Sequence, residues 1–163
     1  MFLRTIRSVF RVVVKGGATM TMNGYENIPL EGGAIVVTNH IGRLDAMLGV
    51  VLSDRDDIIL MIADKYQKYP LWRYLGDNLD AIWLDREEVD FRSLREVFRR
   101  LKAGGLLGIA PEGTRSKSEA LMPGKPGAAY LAARSQLPLI PVGITGTEDR
   151  LVKHRLKRLR RLD

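Results

Sequence analysis

The fold is decided by the stretch Ala34-Ile35-Val36-Val37-Thr38-Asn39-His40-Ile41-Gly42-Arg43-Leu44-Asp45, where an apolar run gives way to polar side chains. The apolar run has the length and β-branched content of a buried strand, and it delivers His40 to one end of a predicted sheet. A turn at Gly42 would fold Asp45 back to the His40 ring, so that the carboxylate fixes the tautomer and leaves the other ring nitrogen free to accept a proton. A plainer interpretation is also open, in which His40 closes the strand and Asp45 is the N-cap of a helix.

The rest of the chain alternates strand-like and helix-like patterns. Strands are predicted at 19–22, 58–63, 81–84, 106–110 and 139–144, and helices at 45–52, 69–75, 88–103 and 127–136. This alternation predicts a single α/β domain with a largely parallel sheet flanked by helices. Ligands of such sheets bind beyond the carboxyl ends of the strands. The polar segments that begin at His40, Arg86 and Glu112 each follow a predicted strand, so we expect them to meet at one edge.

The first 15 residues have the pattern of a basic amphipathic helix. At about 100° per residue its basic side chains fall within about 80° of one another, opposite an apolar face. The basic residues are Arg4, Arg7, Arg11 and Lys15, and the apolar ones are Leu3, Ile6, Phe10 and Val13. The repeated charge excludes a membrane span, and no cleavage site of a secretory signal stands out. The helix either lies in a membrane interface with its arginines toward lipid phosphates, or covers the core of the domain.

The net charge of +7 is concentrated at the two ends of the chain. Residues 1–15 carry +4 and residues 150–163 carry +6, which leaves −3 for the middle. We therefore divide the chain into an interfacial helix (1–17), an α/β domain (18–149) and a basic C-terminal segment (150–163). That last segment could lie on anionic lipid, or it could be the point at which a larger protein is truncated. The acidic middle argues against a nucleic-acid-binding face spread over the fold, so no specific nucleic-acid partner is expected, although a basic tail could bind nucleic acid without sequence preference.

Several kinds of catalytic site are excluded by what the sequence lacks. It has no cysteine and only two histidines, so a thiolate zinc site or a cysteine nucleophile is absent and a histidine metal site is not expected. Neither a Gly-x-Ser-x-Gly elbow nor a phosphate-cradling Gly-x-x-x-x-Gly-Lys-Ser/Thr loop is present. A His–Asp base remains, with Arg86 and Arg115 as anion-binding groups. Without a protein nucleophile, such a base should activate a substrate hydroxyl, and the arginines suggest that the substrate carries phosphate.

Taken in order, the polar blocks resemble the glycerolipid acyltransferase family, whose best-known members are bacterial 1-acylglycerol-3-phosphate acyltransferases. The resemblance runs from about residue 22 to 146. Its blocks are Asn39-His40 with Asp45, Gly76 with 82–86, the complete Pro111-Glu112-Gly113-Thr114-Arg115-Ser116, Lys125-Pro126-Gly127-Ala128-Ala129, and the Pro-containing strand at 139–142. The family usually begins with more hydrophobic helical material and continues past the last block.

The resemblance implies direct acyl transfer from a thioester to the free hydroxyl of a lysophospholipid, with His40 as general base and Asp45 as its orienting group. Substrate-binding roles would fall to Arg86, Glu112, Gly113, Thr114, Arg115 and Lys125. The donor would be acyl-CoA or acyl carrier protein, a substrate, with no cofactor or metal. The other implied partners are the lysophospholipid acceptor and an anionic membrane surface, and the implied location is peripheral, on the cytoplasmic face of the membrane.

Alternatives stay open at the level of single residues and of the whole chain. Arg86 could instead pair with Glu87 or Glu88, Glu112 could make a hydrogen bond that only holds its loop, and Lys125 could be a solvated charge. The acceptor could be glycerol 3-phosphate, another lysophospholipid or an amino-acid lipid. The chain could also be a non-catalytic lipid-binding module.

Overall fold

The fold is a mixed α/β arrangement, described by a computed structural model for residues 2–17, 19–45, 48–49, 53–85, 90–116, 118 and 120–159. Its helices are α1 (Phe2–Gly17), α2 (Pro70–Asn78), α3 (Phe91–Lys102), α4 (Gly127–Ser135) and α5 (Asp149–Leu159). Its strands are β1 (Ala34–Thr38), β2 (Ile58–Ile59), β3 (Met61–Ala63), β4 (Ile82–Leu84), β5 (Leu106–Ile109) and β6 (Leu139–Val142). The predicted fold class, with its N-terminal helix, is confirmed.

The strands form two sheets in which every described pair is parallel. The main sheet has the order β2-β5-β1-β6, and β3 pairs with β4 in a second sheet. Ile35 of β1 is aligned with Leu107 of β5 and with Leu139 of β6. Pro141 lies in β6 at the edge of the main sheet, where a missing backbone N–H is tolerated. The carboxyl ends of β5, β1 and β6 therefore lie side by side.

The strand predicted at 58–63 is wrong as a single element, because the chain changes sheets at Leu60. Ile58 and Ile59 pair with β5, whereas Met61 to Ala63 pair with β4. The backbone N–H of Ile82 donates to the Leu60 carbonyl at 2.8 Å, so the chain stays bonded across the change. The apolar run contains no turn residue that could have revealed this division.

Two other predicted elements also differ from the structure. Residues 19–22 belong to no strand, although their side chains alternate. In the helix predicted at 45–52, residues 45, 48 and 49 are helical, and the N–H of Leu48 donates to the Leu44 carbonyl at 2.8 Å. The rest of that segment lies outside the described residues.

The core lies between the sheets and the helices α3 and α4. Its buried side chains are Ile35, Ile59, Ile82, Val97, Leu101, Leu107 and Leu131. Asp90 caps α3 by accepting a hydrogen bond from the Ser93 N–H at 3.0 Å. The Ser93 hydroxyl also donates to the Trp83 carbonyl at 2.9 Å, which ties α3 to β4. Because α3 contacts β2, β4 and β5, it joins the two sheets into one domain.

Helix α1 lies against the domain through its basic face, which corrects the prediction that its arginines face lipid phosphates. Arg4 Nε donates to Asp56 at 2.6 Å, Arg7 Nη1 donates to the same carboxylate at 3.0 Å, and Arg11 donates to Asp54 at 2.7 Å. Arg7 is buried, with its side chain 7% exposed, and also donates to the Arg55 carbonyl. The acidic loop at 53–57 thus neutralises this face of α1.

The opposite face of α1 carries exposed apolar side chains. Val9, Val12 and Val13 are 58%, 72% and 63% exposed, respectively. Of the predicted apolar face, Leu3, Ile6 and Phe10 are half-buried and only Val13 is exposed, so the alternative that α1 covers the core is excluded for Val13 alone. None of the described helices is long and apolar enough to cross a bilayer.

Candidate active site

Three loops meet beyond the carboxyl ends of adjacent strands in the main sheet. They follow β1 (39–45), β5 (110–116) and β6 (143–148). Parallel pairing of the three strands places these loops at the same edge, where α/β proteins usually bind their ligands. The side chain of Asn39 ties the first loop to the third, because its amide donates to the Ile144 carbonyl at 2.8 Å and accepts from the Ile144 N–H at 2.7 Å.

The loop after β1 folds Asp45 back onto the His40 ring. Asp45 Oδ2 lies 3.0 Å from His40 Nδ1 and also accepts hydrogen bonds from the N–H groups of Ile41 at 2.7 Å and Gly42 at 2.8 Å. A carboxylate can only accept, so the Nδ1 atom of the neutral ring carries the proton and Nε2 carries the lone pair. Among the described residues nothing bonds to Nε2. The ring is 28% exposed, whereas the Asp45 side chain is almost fully buried.

The surroundings of Asp45 favour its charged form. Burial is the largest single effect and raises the pKa of Asp45, but hydrogen bonds from His40, Thr147 and the two backbone N–H groups together outweigh it, so the pKa is lowered. The ring and the two amides are the donors with good hydrogen-bond geometry. Asp45 Oδ1 and Thr147 Oγ1 are buried without a partner of such geometry in the described part of the chain. We therefore attribute the retained charge mainly to the ring and the amides.

Gly42 allows the turn to close against the loop after β6. A Cβ atom at this position would lie 1.8 Å from the Thr147 carbonyl oxygen. Since this neighbour is backbone, it cannot move aside as a flexible side chain would. The contact fixes the distance between the His40 turn and the segment that leads into α5.

The loop after β5 holds the His40 backbone on both sides. Glu112 Oε1 accepts a hydrogen bond from the His40 N–H at 3.3 Å, and the Ser116 N–H donates to the His40 carbonyl at 2.7 Å. Glu112 is 5% exposed, and its hydrogen bond is the loop-holding kind that the sequence left as an alternative to substrate binding. Gly113 adopts a left-handed conformation with φ 68°, which glycine accepts without strain.

The remaining predicted site residues have different surroundings. Arg115 Nη1 lies 3.3 Å from Asp149 Oδ2. The exposed Lys125 lies over Gly113, where a Cβ atom would be 3.3 Å from Lys125 Cδ and Cε. Thr114 is exposed. Arg86 lies outside the described residues, so its role stays a prediction.

Sequence reasoning missed the residues contributed by the loop after β6 and by the start of α5. Thr147 packs on the His40 turn, and Asp149 binds both Arg115 and Arg43. Neither belongs to a motif, and Asp149 is separated from Arg43 by 106 residues. Knowledge of the strand order β5-β1-β6 would have identified these residues, because this order brings the segment after β6 to the sheet edge that holds His40.

A family model described as Acyltransferase matches residues 19–145, a range that includes the loops after β1 and β5. The chain belongs to the acyltransferase family. Thr147 and Asp149 lie beyond the matched range of this acyltransferase domain. None of the described residues form a group that could hold a metal ion.

Named relatives of this acyltransferase chain include the 1-acyl-sn-glycerol-3-phosphate acyltransferases of Bacillus subtilis and Cocos nucifera. The Bacillus protein is 29% identical over 122 residues, which cover 74% of this chain and 60% of the relative. The Cocos protein is 32% identical over 117 residues, which cover 70% of this chain and 38% of the relative. The chain thus spans about half the length of these curated relatives.

A solved structure has a similar fold. It is the 1-acyl-sn-glycerophosphate acyltransferase PlsC from Thermotoga maritima, with a TM-score of 0.67 and 24% identity. The similarity covers 85% of this chain and 55% of that one. This likeness supports the α/β fold of the present acyltransferase domain.

Proposed function

We propose that this acyltransferase domain moves a fatty acyl group from an acyl thioester to the free hydroxyl of 1-acyl-glycerol-3-phosphate, which gives phosphatidic acid. The donor would be acyl-CoA or acyl carrier protein. The observation that carries the proposal is the 3.0 Å contact between His40 Nδ1 and Asp45 Oδ2, at a sheet edge that also holds Arg115. The names of the relatives supply the substrate class.

The His40 ring would act first as base and then as acid. Nε2 takes the proton of the acceptor hydroxyl while its oxygen attacks the thioester carbonyl carbon. When the tetrahedral intermediate collapses, the carbon–sulfur bond breaks and the imidazolium returns the proton to the departing thiolate. The products are an ester and a free thiol, and no acyl-enzyme forms. Asp45 stabilises the imidazolium and keeps the ring in the required tautomer.

Oxyanion stabilisation in this scheme must come from amides that are not already engaged. The N–H groups of Ile41 and Gly42 bind Asp45, and the N–H of Ser116 binds the His40 carbonyl. The N–H groups of Thr114 and Arg115 have no acceptor within the described ranges. We assign the oxyanion to these two amides, since they belong to the loop that bonds the His40 backbone and backbone N–H groups there can bind the charge that develops on the carbonyl oxygen.

We also propose that the domain works at a membrane surface, which is where its acceptor resides. The valines of α1 and the residues Leu71 and Trp72 of α2 are exposed, and the Phe2 ring meets the Tyr74 ring edge-on at 5.8 Å, which joins the two helices. Lys68 lies over the Tyr69 ring at 5.3 Å. Apolar and aromatic side chains beside lysine are typical of surfaces that enter an anionic lipid interface.

The test of the proposed reaction is thiol release from a long-chain acyl thioester with lysophosphatidic acid as acceptor. We expect His40→Ala to lower the rate by about 10²–10⁴-fold, the usual contribution of a general base. His154→Ala is the matched control, because it removes the only other histidine, which lies exposed in α5. No His40-dependent release with any acceptor in a panel of lysophospholipids would exclude the proposal.

A further inference from the structure

A carboxylate of the protein itself lies among the cationic groups beside the His40 turn. Asp149 Oδ1 accepts a hydrogen bond from the Arg43 N–H at 3.0 Å, and Asp149 Oδ2 lies 3.2 Å from Arg43 Nε and 3.3 Å from Arg115 Nη1. These three donors come from the loops after β1 and β5, whereas the acid comes from the first turn of α5. One anionic group therefore holds two guanidinium groups and a backbone amide.

We propose that Asp149 occupies the subsite of the acceptor's phosphate, that Arg43 binds this phosphate together with Arg115, and that the acceptor displaces Asp149 when it binds. This inference rests on the proposed function and assigns the phosphate-binding part of the same site. Two guanidinium groups and an amide N–H are the donor set that phosphate oxygens prefer, and a carboxylate presents a similar pair of acceptors.

Charge and exposure favour exchange of the carboxylate for a phosphate. A phosphate monoester carries close to two negative charges at neutral pH, and a carboxylate carries one. The side chains of Arg43, Arg115 and Asp149 are 72%, 38% and 33% exposed, so solvent screens their contacts and weakens them. The carboxylate is thus held loosely enough to leave, while its competition raises the phosphate concentration needed for binding.

A purely structural role for Asp149 would leave a different pattern of contacts. Acidic residues at a helix start commonly accept hydrogen bonds from the first amides of their own helix. The hydrogen bonds that the Asp149 side chain accepts from described residues come instead from Arg43 and Arg115. Asp149 therefore acts on the other two loops, and its removal should free both arginines.

The first experiment measures binding without catalysis. Inorganic phosphate and glycerol 3-phosphate are titrated separately into the full chain, and the side-chain Nε–H signals of Arg43 and Arg115 are followed by NMR. We expect both signals to shift together, Asp149→Asn to tighten binding about three- to tenfold, and Arg43→Gln to weaken it about tenfold, as for loss of one charged hydrogen bond. Asp80→Asn and Arg99→Gln are the controls, since they change ion-paired, exposed side chains in the turn before β4 and in α3.

The second experiment uses turnover. Arg43→Gln should raise KM for lysophosphatidic acid about tenfold with little change in kcat, and should leave KM for monoacylglycerol, which has no phosphate, unchanged. Binding that weakens in Asp149→Asn would overturn the displacement, and binding that is indifferent to Arg43→Gln would overturn the subsite. If wild type binds phosphate in this way but transfers no acyl group, the proposed reaction fails and the subsite stands.

Discussion

At the scale of single residues, Asp45 determines which nitrogen of His40 can act as a base. Asp45→Asn would keep an oxygen in the place of Oδ2, where the N–H groups of Ile41 and Gly42 hold it, but this neutral oxygen would no longer stabilise the imidazolium. We expect kcat to fall by about 10²–10⁴-fold, with a smaller effect on KM, because the base is weakened and the acceptor contacts remain. Steady-state kinetics with lysophosphatidic acid as acceptor provides the measurement.

A structural defect must be separated from the loss of the carboxylate charge in the Asp45→Asn variant. The new amide side chain would still offer one oxygen to the N–H groups of Ile41 and Gly42, so the turn should persist, and a far-ultraviolet circular dichroism spectrum should match that of wild type. Activity within about threefold of wild type in a folded Asp45→Asn protein would contradict the assigned role of the carboxylate.

The sequence predicted the part of the site whose residues are close together in the chain. The five-residue spacing of His40 and Asp45, with Gly42 between them, pointed to a turn that joins the two side chains. The Glu112 bond to His40 and the Asp149 bond to Arg43 join residues 72 and 106 positions apart. Such contacts depend on the order of strands in the sheet, which one sequence does not specify.

At the scale of elements, α3 carries an ion-pair network whose contribution to stability should depend on pH. Glu96 accepts hydrogen bonds from Arg99 at 2.6 Å and Arg100 at 2.7 Å, and these bonds lower the pKa of Glu96 to about 2 from 4.5. A lowered pKa means that the stabilisation is complete above pH 4.5 and is lost as the pH falls toward 2. Glu96→Gln should therefore lower Tm at pH 7 and have progressively less effect below about pH 4.5.

Thermal unfolding of wild type and Glu96→Gln at several pH values measures this dependence. Glu26→Gln is a suitable control, because it changes an exposed glutamate outside α3. A Tm difference that stays constant between about pH 7 and pH 2 would show that the ion pairs do not account for the effect of Glu96.

The elements themselves were predictable where hydrophobic periodicity was strong, as in α3, which was expected at 88–103 and found at Phe91–Lys102. Hydrophobic periodicity does not show which other element a helix or strand contacts. The arginine stripe of α1 fits lipid phosphates and the aspartates of the 53–57 loop equally well, and only the folded chain brings these aspartates within hydrogen-bond distance. For the same reason the run 58–63 did not reveal that its halves pair with different strands.

At the scale of the whole molecule, the docking of α1 through its basic face should leave membrane binding to apolar side chains. We expect Val12→Ser with Val13→Ser to weaken binding to phosphatidylglycerol vesicles by at least about tenfold, since each valine contributes apolar area that lipid would bury. Val12→Leu with Val13→Leu is the matched control and should bind at least as well as wild type. Vesicle cosedimentation measures the difference.

Raising the salt concentration in the same vesicle assay distinguishes apolar binding from electrostatic binding. A surface held mainly by apolar contacts keeps much of its affinity when the ionic strength is raised, whereas one held by arginine–phosphate contacts loses most of it. Binding that is unaffected by the serine changes but abolished by salt would contradict the proposed orientation of α1.

The Asn39 side chain, one residue beyond Thr38, bonds the backbone of Ile144, two residues beyond Val142, just past the last aligned pair of β1 and β6. The side-chain amide of Asn39 thus makes the hydrogen bonds that backbone groups make elsewhere between β1 and β6. A single substitution at Asn39 could consequently change the spacing between the His40 turn and the segment that leads to Asp149. Shortening or removing this amide should therefore alter the proposed acceptor subsite while the His40–Asp45 pair stays intact.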